Sequence, residues 1–147
     1  MRAVNPILAW LRDSLRVYLT GWRLTFRFRG RTSRRDFWIF YLVHSVLLVA
    51  LVIADSVHPY AVPYLSVIFS YASLVTIVSI GVRRLHDIDA SGKWMFLMLL
   101  PLGGVLLVVP HARKGSAGTN RFGDPACNTS APAESHVGVP ARFTQEM

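Results

Sequence analysis

Three short polar clusters hold most of the side chains able to do chemistry. The first is Phe28-Arg29-Gly30-Arg31, followed by Ser33-Arg34-Arg35-Asp36-Phe37-Trp38. The second is Arg83-Arg84-Leu85-His86-Asp87, followed by Ser91-Gly92-Lys93-Trp94. The third runs from Gly115 to Pro125, with Asn120 and Arg121 inside it. A guanidinium fork matches a phosphate bidentately. Arg31, Arg34, Arg83 and Arg84 at one headgroup level would grip anionic lipid phosphate, as basic pockets between membrane spans do. The plainer role for the same arginines is to fix topology and snorkel to the interface. Asp36 and Asp87 are expected to pair with arginines across the two loops, setting register more than stability. Contact with an anionic lipid or a partner is therefore expected at Gly30, Arg31, Arg34, Arg83, Arg84, His86, Asp87, Asn120 and Arg121.

His86-Asp87 invites a catalytic reading, with the carboxylate orienting the imidazole. Adjacent residues on a helix do not face each other, and Ser91 is the one nearby nucleophile. No glycine loop of Walker or dinucleotide type is present. His44, His58, His86, His111 and His136 are too scattered to suggest a metal site. Cys127 stands alone, so neither an internal disulfide nor a cysteine metal site can form. The expectation is a protein without cofactor or metal and not an enzyme. Gly118 to Pro125 reads as turns, with Asn120 and Gly123 accommodating positive φ.

The clusters flank three apolar runs. Of 147 residues 52% are hydrophobic and only 16% charged, against about 25% charged in a soluble domain. Residues 37–54 and 61–82 carry no Lys, Arg, Asp or Glu. Eighteen residues rise about 27 Å, close to the hydrocarbon thickness. Trp38 and Tyr41 suit an aromatic belt. His44 is the ionisable group within the first span, and bonding to a neighbouring helix or to Ser45 is its expected role. Ser66, Ser70, Ser73, Thr76 and Ser79 fall largely on one face of the second span, suited to helix packing. Pro59 and Pro63 mark the turn between these spans. The third run, 94–110, contains Pro101, Gly103 and Gly104, which kink a spanning helix or break it into a re-entrant hairpin. A full span is the favoured alternative, because a re-entrant backbone needs protein around it. Residues 83–93 read as a charged loop.

Ahead of the spans, residues 4–26 form an amphipathic pattern. Ile7, Leu8, Leu11, Leu15, Tyr18, Leu19, Trp22 and Phe26 share one face. Arg12, Arg16, Arg23 and Arg27 occupy the other, the composition of a helix lying in the membrane interface. Gly30 suggests a turn, and Ser33 a cap for the first span. A cleaved signal peptide is not expected, since the first apolar run is long and follows an arginine-rich leader. The tail, 126–147, holds little that could build a core and is expected to be disordered.

The net charge of +8 would suit nucleic acid, but the arginines sit beside the apolar runs. Nine Lys+Arg precede the first span, none lie between the first two, and three follow the second. That pattern places the N-terminus in the cytoplasm of a multi-pass protein.

With these clusters in this order around three apolar runs, the chain resembles the bacterial membrane family named domain of unknown function 805. The resemblance covers roughly residues 20–125. It rests on the Gly30-Arg31 and Ser33-Arg34 start, the Arg83-Arg84-Leu85-His86-Asp87 loop, and the Asn120-Arg121-Phe122-Gly123 ending. It implies a bacterial inner-membrane protein and no assigned activity. The expected architecture is an all-α membrane protein. An interfacial leader (1–26) precedes a membrane domain (27–125) of three apolar helices, the third spanning or re-entrant, and a polar tail. The expected role is a non-enzymatic assembly or anionic-lipid-interacting component. Its partners would be the bilayer, anionic phospholipid, a second copy or another membrane protein, and no nucleic acid. The alternative is a small oligomeric transporter or channel lined by the Ser/Thr face.

Overall fold

The computed structural model describes residues 5–58 and 64–126. The Pro59–Pro63 turn and the tail from Cys127 lie outside the described residues. All regular structure among the described residues is helical: α1 (Pro6–Arg23), α2 (Arg34–Val57), α3 (Leu65–Asp87), a 3-10 helix (Gly92–Leu99) and α4 (Gly103–Ala112).

α2 and α3 are long and apolar enough to cross a membrane. At about 1.5 Å per residue each is roughly 35 Å long, longer than the hydrocarbon core of about 30 Å. Ser33 caps α2 as its position implies, its Oγ accepting from Asp36 N–H at 3.1 Å. Asp36 in the first turn suits the helix dipole. α2 is buried only within its first half, at Asp36, Phe37, Phe40 and His44. Leu42, Val46, Val49 and Ile53 are exposed along another stripe. So continuous an apolar surface is suited to lipid, not water.

α1 is capped by Asn5, with Pro6 at its first turn. An 18-residue helix is about 27 Å long, yet its ring contacts with α2 fall only between Phe40 and His44. Tyr18 stacks on Phe40 at 5.1 Å and lies 6.4 Å from His44. α1 therefore meets α2 through its C-terminal half, where Ser14, Val17, Tyr18 and Gly21 are buried. Its apolar face divides in two. Val17, Tyr18 and Gly21 pack inward, whereas Ile7, Leu8, Leu11, Leu15 and Leu19 are exposed.

The polar stripe of α3 packs against the rest of the chain. Thr76 Oγ1 lies 2.8 Å from Thr25 Oγ1, and Ser79 Oγ donates to the carbonyls of Leu24 and Arg27 at 3.1 and 3.0 Å. Ser73 Oγ is 3.4 Å from His44 Nε2, and the Tyr18 hydroxyl 3.5 Å from His44 Nδ1. Ser73, Thr76 and Ser79 are fully buried.

Two sequence expectations change. Residues 83–87 are the last turn of α3, not loop. No glycine or proline interrupts them, and Arg84 and His86 suit a helix C-terminus. The third run is not one spanning helix. It breaks at Leu100-Pro101-Leu102 into the 3-10 helix and α4. These are about 16 and 15 Å long, each about half the hydrocarbon thickness. Leu102 takes the left-handed conformation at φ 66°. Gly103 follows because a Cβ there would overlap the Leu97 carbonyl. The break stays hydrogen-bonded locally. Leu100 N–H donates to Leu97 at 3.0 Å, Gly103 N–H to Leu100 at 2.9 Å, and Val105 N–H to Leu102 at 3.0 Å. Pro101 has no N–H to satisfy. A hairpin thus meets the backbone requirement that favoured a full span. Leu85, Met95 and Leu107 form the core that holds it against α3.

Candidate functional site

The hairpin returns the chain to the C-terminal end of α3, so all three polar clusters meet there. Asp87, the last residue of α3, is the hub. Its Oδ1 accepts from Arg31 Nε at 3.0 Å and Nη2 at 2.9 Å, and its Oδ2 accepts from Arg84 Nη1. The three side chains are 6%, 1% and 0% exposed. One buried carboxylate is therefore shared by two buried guanidiniums. The remaining donors find carbonyls. Arg31 donates to Ser116 at 2.5 Å, Gly118 at 2.8 Å and Gly123 at 3.3 Å. Arg84 donates to His111 at 3.0 Å and to Arg113. Each arginine thus ties the carboxylate to the segment that follows the hairpin.

That segment, 113–125, lies across the end of the helices as a strap. Ser116 N–H and Oγ donate to the Asp87 carbonyl at 2.8 and 3.1 Å. Gly115 lies so close that a Cβ would overlap Asp87 Oδ2. Asn120 Nδ2 donates to the His86 carbonyl at 2.9 Å, and its Oδ1 accepts from Phe122 N–H at 2.9 Å. The turn expected at Asn120 and Gly123 exists, but only Gly123 takes positive φ, at 118°. Asn120 shapes the turn through its side chain instead.

His86 is turned away from Asp87, as adjacent helix residues must be. Its Nδ1 lies 3.2 Å from the Gly30 carbonyl, which can only accept, so Nδ1 carries the proton. Phe122 stacks on the ring at 3.8 Å and 5°. Arg121 pairs with Asp89 at 3.1 Å, both more than half exposed, and lies 4.8 Å from the Phe122 ring centroid.

The arginines expected to act together divide into two groups. Arg31 and Arg84 spend their donors on protein acceptors. Arg83 is buried beside α1, its Nε 3.4 Å from the Ser79 carbonyl. Arg34 is exposed, with Nη1 3.4 Å from the Ala112 carbonyl. Beside it the structure adds two cations that the sequence did not single out, Arg35 and Lys114, both exposed. The three line an open polar cavity of about 340 Å³, with Ser33 and Ser116 on its wall. Asp87 also borders it, but its oxygens face Arg31 and Arg84. Among the described residues, Arg34, Arg35 and Lys114 form no ion pair. Sequence reasoning also missed Ser116, Phe122 and the His111 carbonyl. Their roles depend on a segment that the full-span alternative would have placed across the membrane.

The comparisons with known proteins point to a membrane family. Two inner-membrane proteins of Escherichia coli strain K12 resemble the chain. YhaI is 32% identical over 98 residues, covering 66% of this chain and 83% of YhaI. YhaH is 33% identical over 101 residues, covering 65% and 84%. No solved structure matches. The family model described as "Protein of unknown function (DUF805)" matches residues 25–124, which contain all three clusters but for Pro125, and the chain belongs to that family.

Proposed function

We propose that the chain is a non-enzymatic inner-membrane component that holds anionic phospholipid at the cytoplasmic face. It crosses the membrane twice, at α2 and α3, with its N-terminus inside. The observation that carries this reading is the open cavity lined by Arg34, Arg35 and Lys114 at the start of α2. Three exposed cations at the end of an apolar helix are placed at headgroup depth, where each contributes about 1 kcal/mol of attraction to anionic lipid. The hairpin adds Arg113, Lys114 and Arg121 to the side that already holds the arginine-rich leader, in keeping with the positive-inside rule. The exposed leucines of α1 suit a helix lying in the membrane interface. The channel alternative would need the polar face of α3, and Ser73, Thr76 and Ser79 on that face are buried in packing within one chain.

The test is native mass spectrometry of the purified full chain in non-ionic detergent. Phosphatidylglycerol should be retained in preference to phosphatidylcholine. R34Q/R35Q/K114Q should lower that retention at least tenfold, given about 1 kcal/mol per charge. Unchanged retention in the triple variant would refute the reading.

A further inference from the structure

Building on that reading, we propose that the bound molecule is a diacyl phospholipid with one acyl chain in the crevice between α2 and α4, directly below the cationic cavity. On α2, Arg34 is followed on the same face by Phe37, Trp38 and Tyr41, at steps of three, four and seven. On α4, Ala112, Val108 and Gly104 succeed one another at steps of four. The contact of Arg34 with the Ala112 carbonyl joins the tops of these two stripes, and Lys114 lies two residues beyond. Below that contact the crevice encloses about 100 Å³ between Trp38 and Tyr41 on one wall and Gly104 and Val108 on the other.

Its floor is fixed. Phe37 and His111 are each 4% exposed, with ring centroids 4.6 Å apart. Its walls are open. Trp38 is 40% and Val108 49% exposed. A Cβ on Gly104 would meet nothing within 4 Å. From Arg34 to Tyr41 the helix descends about 10 Å, into the upper part of a leaflet. The molecule therefore offers cations at headgroup level and an apolar slot beneath them, the charge and polarity sequence of a phospholipid. Two larger apolar grooves flank the 3-10 helix, at about 450 and 510 Å³, but each meets a single cation, Lys93 or Arg113. A free phosphate would satisfy the cations and make no use of the slot.

Photo-crosslinking tests the assignment. The full chain in non-ionic detergent is irradiated with phosphatidylglycerol carrying a diazirine on one acyl chain, and adducts are mapped by peptide mass spectrometry. Adducts should concentrate on Trp38, Tyr41, Gly104 and Val108 rather than on the exposed Val46 and Val49 of α2. They should fall about tenfold in R35Q/K114Q, which removes two headgroup charges but keeps the Arg34–Ala112 contact. Unlabelled phosphatidylglycerol should compete, and inorganic phosphate at the same concentration should not. Adducts spread evenly over the exposed apolar residues, or equal competition by inorganic phosphate, would overturn the crevice assignment. In that event the headgroup reading stands if phosphatidylglycerol retention still falls in R34Q/R35Q/K114Q, and fails with it if retention does not.

Discussion

Replacing Asp87 by Asn removes the one charge that two buried arginines share. Arg31 and Arg84 are 1% and 0% exposed at their side chains, so water cannot take over from the carboxylate. Breaking a single buried pair from one side costs about 3–5 kcal/mol, because a charge is left uncompensated. Asparagine keeps the shape and one acceptor oxygen, and Arg31 and Arg84 keep their bonds to five backbone carbonyls. The two arginines also act as one unit, so their losses do not simply add. The expected penalty is about 3–5 kcal/mol in total. For a chain of this size that lowers the unfolding midpoint by roughly 6–20 °C. The assay is thermal unfolding in detergent followed by circular dichroism. D89N is the control, because its pair with Arg121 is more than half exposed and is worth about 1 kcal/mol or less. R84Q/D87N should cost less than the sum of its single changes, since only Arg31 is then left without its counter-charge. A D87N midpoint within about 2 °C of wild type, against the several degrees expected, would refute the clamp reasoning.

Three other outcomes follow from the same geometry. G115A places a methyl group on a carboxylate that two arginines hold in place, and it should cost about 1–3 kcal/mol, read as a lower midpoint. T76V removes the hydrogen bond between α3 and Thr25 in the turn that follows α1. It should cost no more than about 1.7 kcal/mol, as such bonds do in membranes, and leave phosphatidylglycerol retention unchanged. In a C127S background, A117C on the exposed strap should react with a membrane-impermeant maleimide only after spheroplasts are lysed. Labelling of intact spheroplasts would reverse the proposed orientation.

Much of this architecture was legible in the chain itself. Two long uncharged runs read as spans and form helices long enough to cross a membrane, and the Ser33 cap and the Gly30 turn follow from local chemistry. Of the small polar residues of α3, which have the three- and four-residue spacing of a packing face, Ser73, Thr76 and Ser79 pack, whereas Ser70 is exposed. The site was legible as a set of clusters but not as a geometry. Arg31, Arg34 and Arg84 are the same residue type at similar depth, yet one is exposed and two are sealed around Asp87. The difference comes from the strap, whose carbonyls lie more than 80 residues from Arg31 in sequence. The strap reaches them only because the third run reverses. That reversal turns on Leu102 accepting a positive φ, which leucine composition does not announce. Arg35, though inside the first cluster, and Lys114 were not expected as contact residues, because only the hairpin brings them to one cavity.

The reversal at Leu100–Leu102 also gives the molecule a shape. In the proposed topology the 3-10 helix and α4 would reach about halfway through a bilayer. With α2 and α3, four helical elements would then share one leaflet, while α2 and α3 alone continue through the other. With helices about 10–12 Å across, the footprint on one side is roughly twice that on the other. A chain so arranged would be a wedge. It would displace more lipid from the leaflet that contains its arginines, and it would fit with least packing stress where that leaflet is the more expanded of the two.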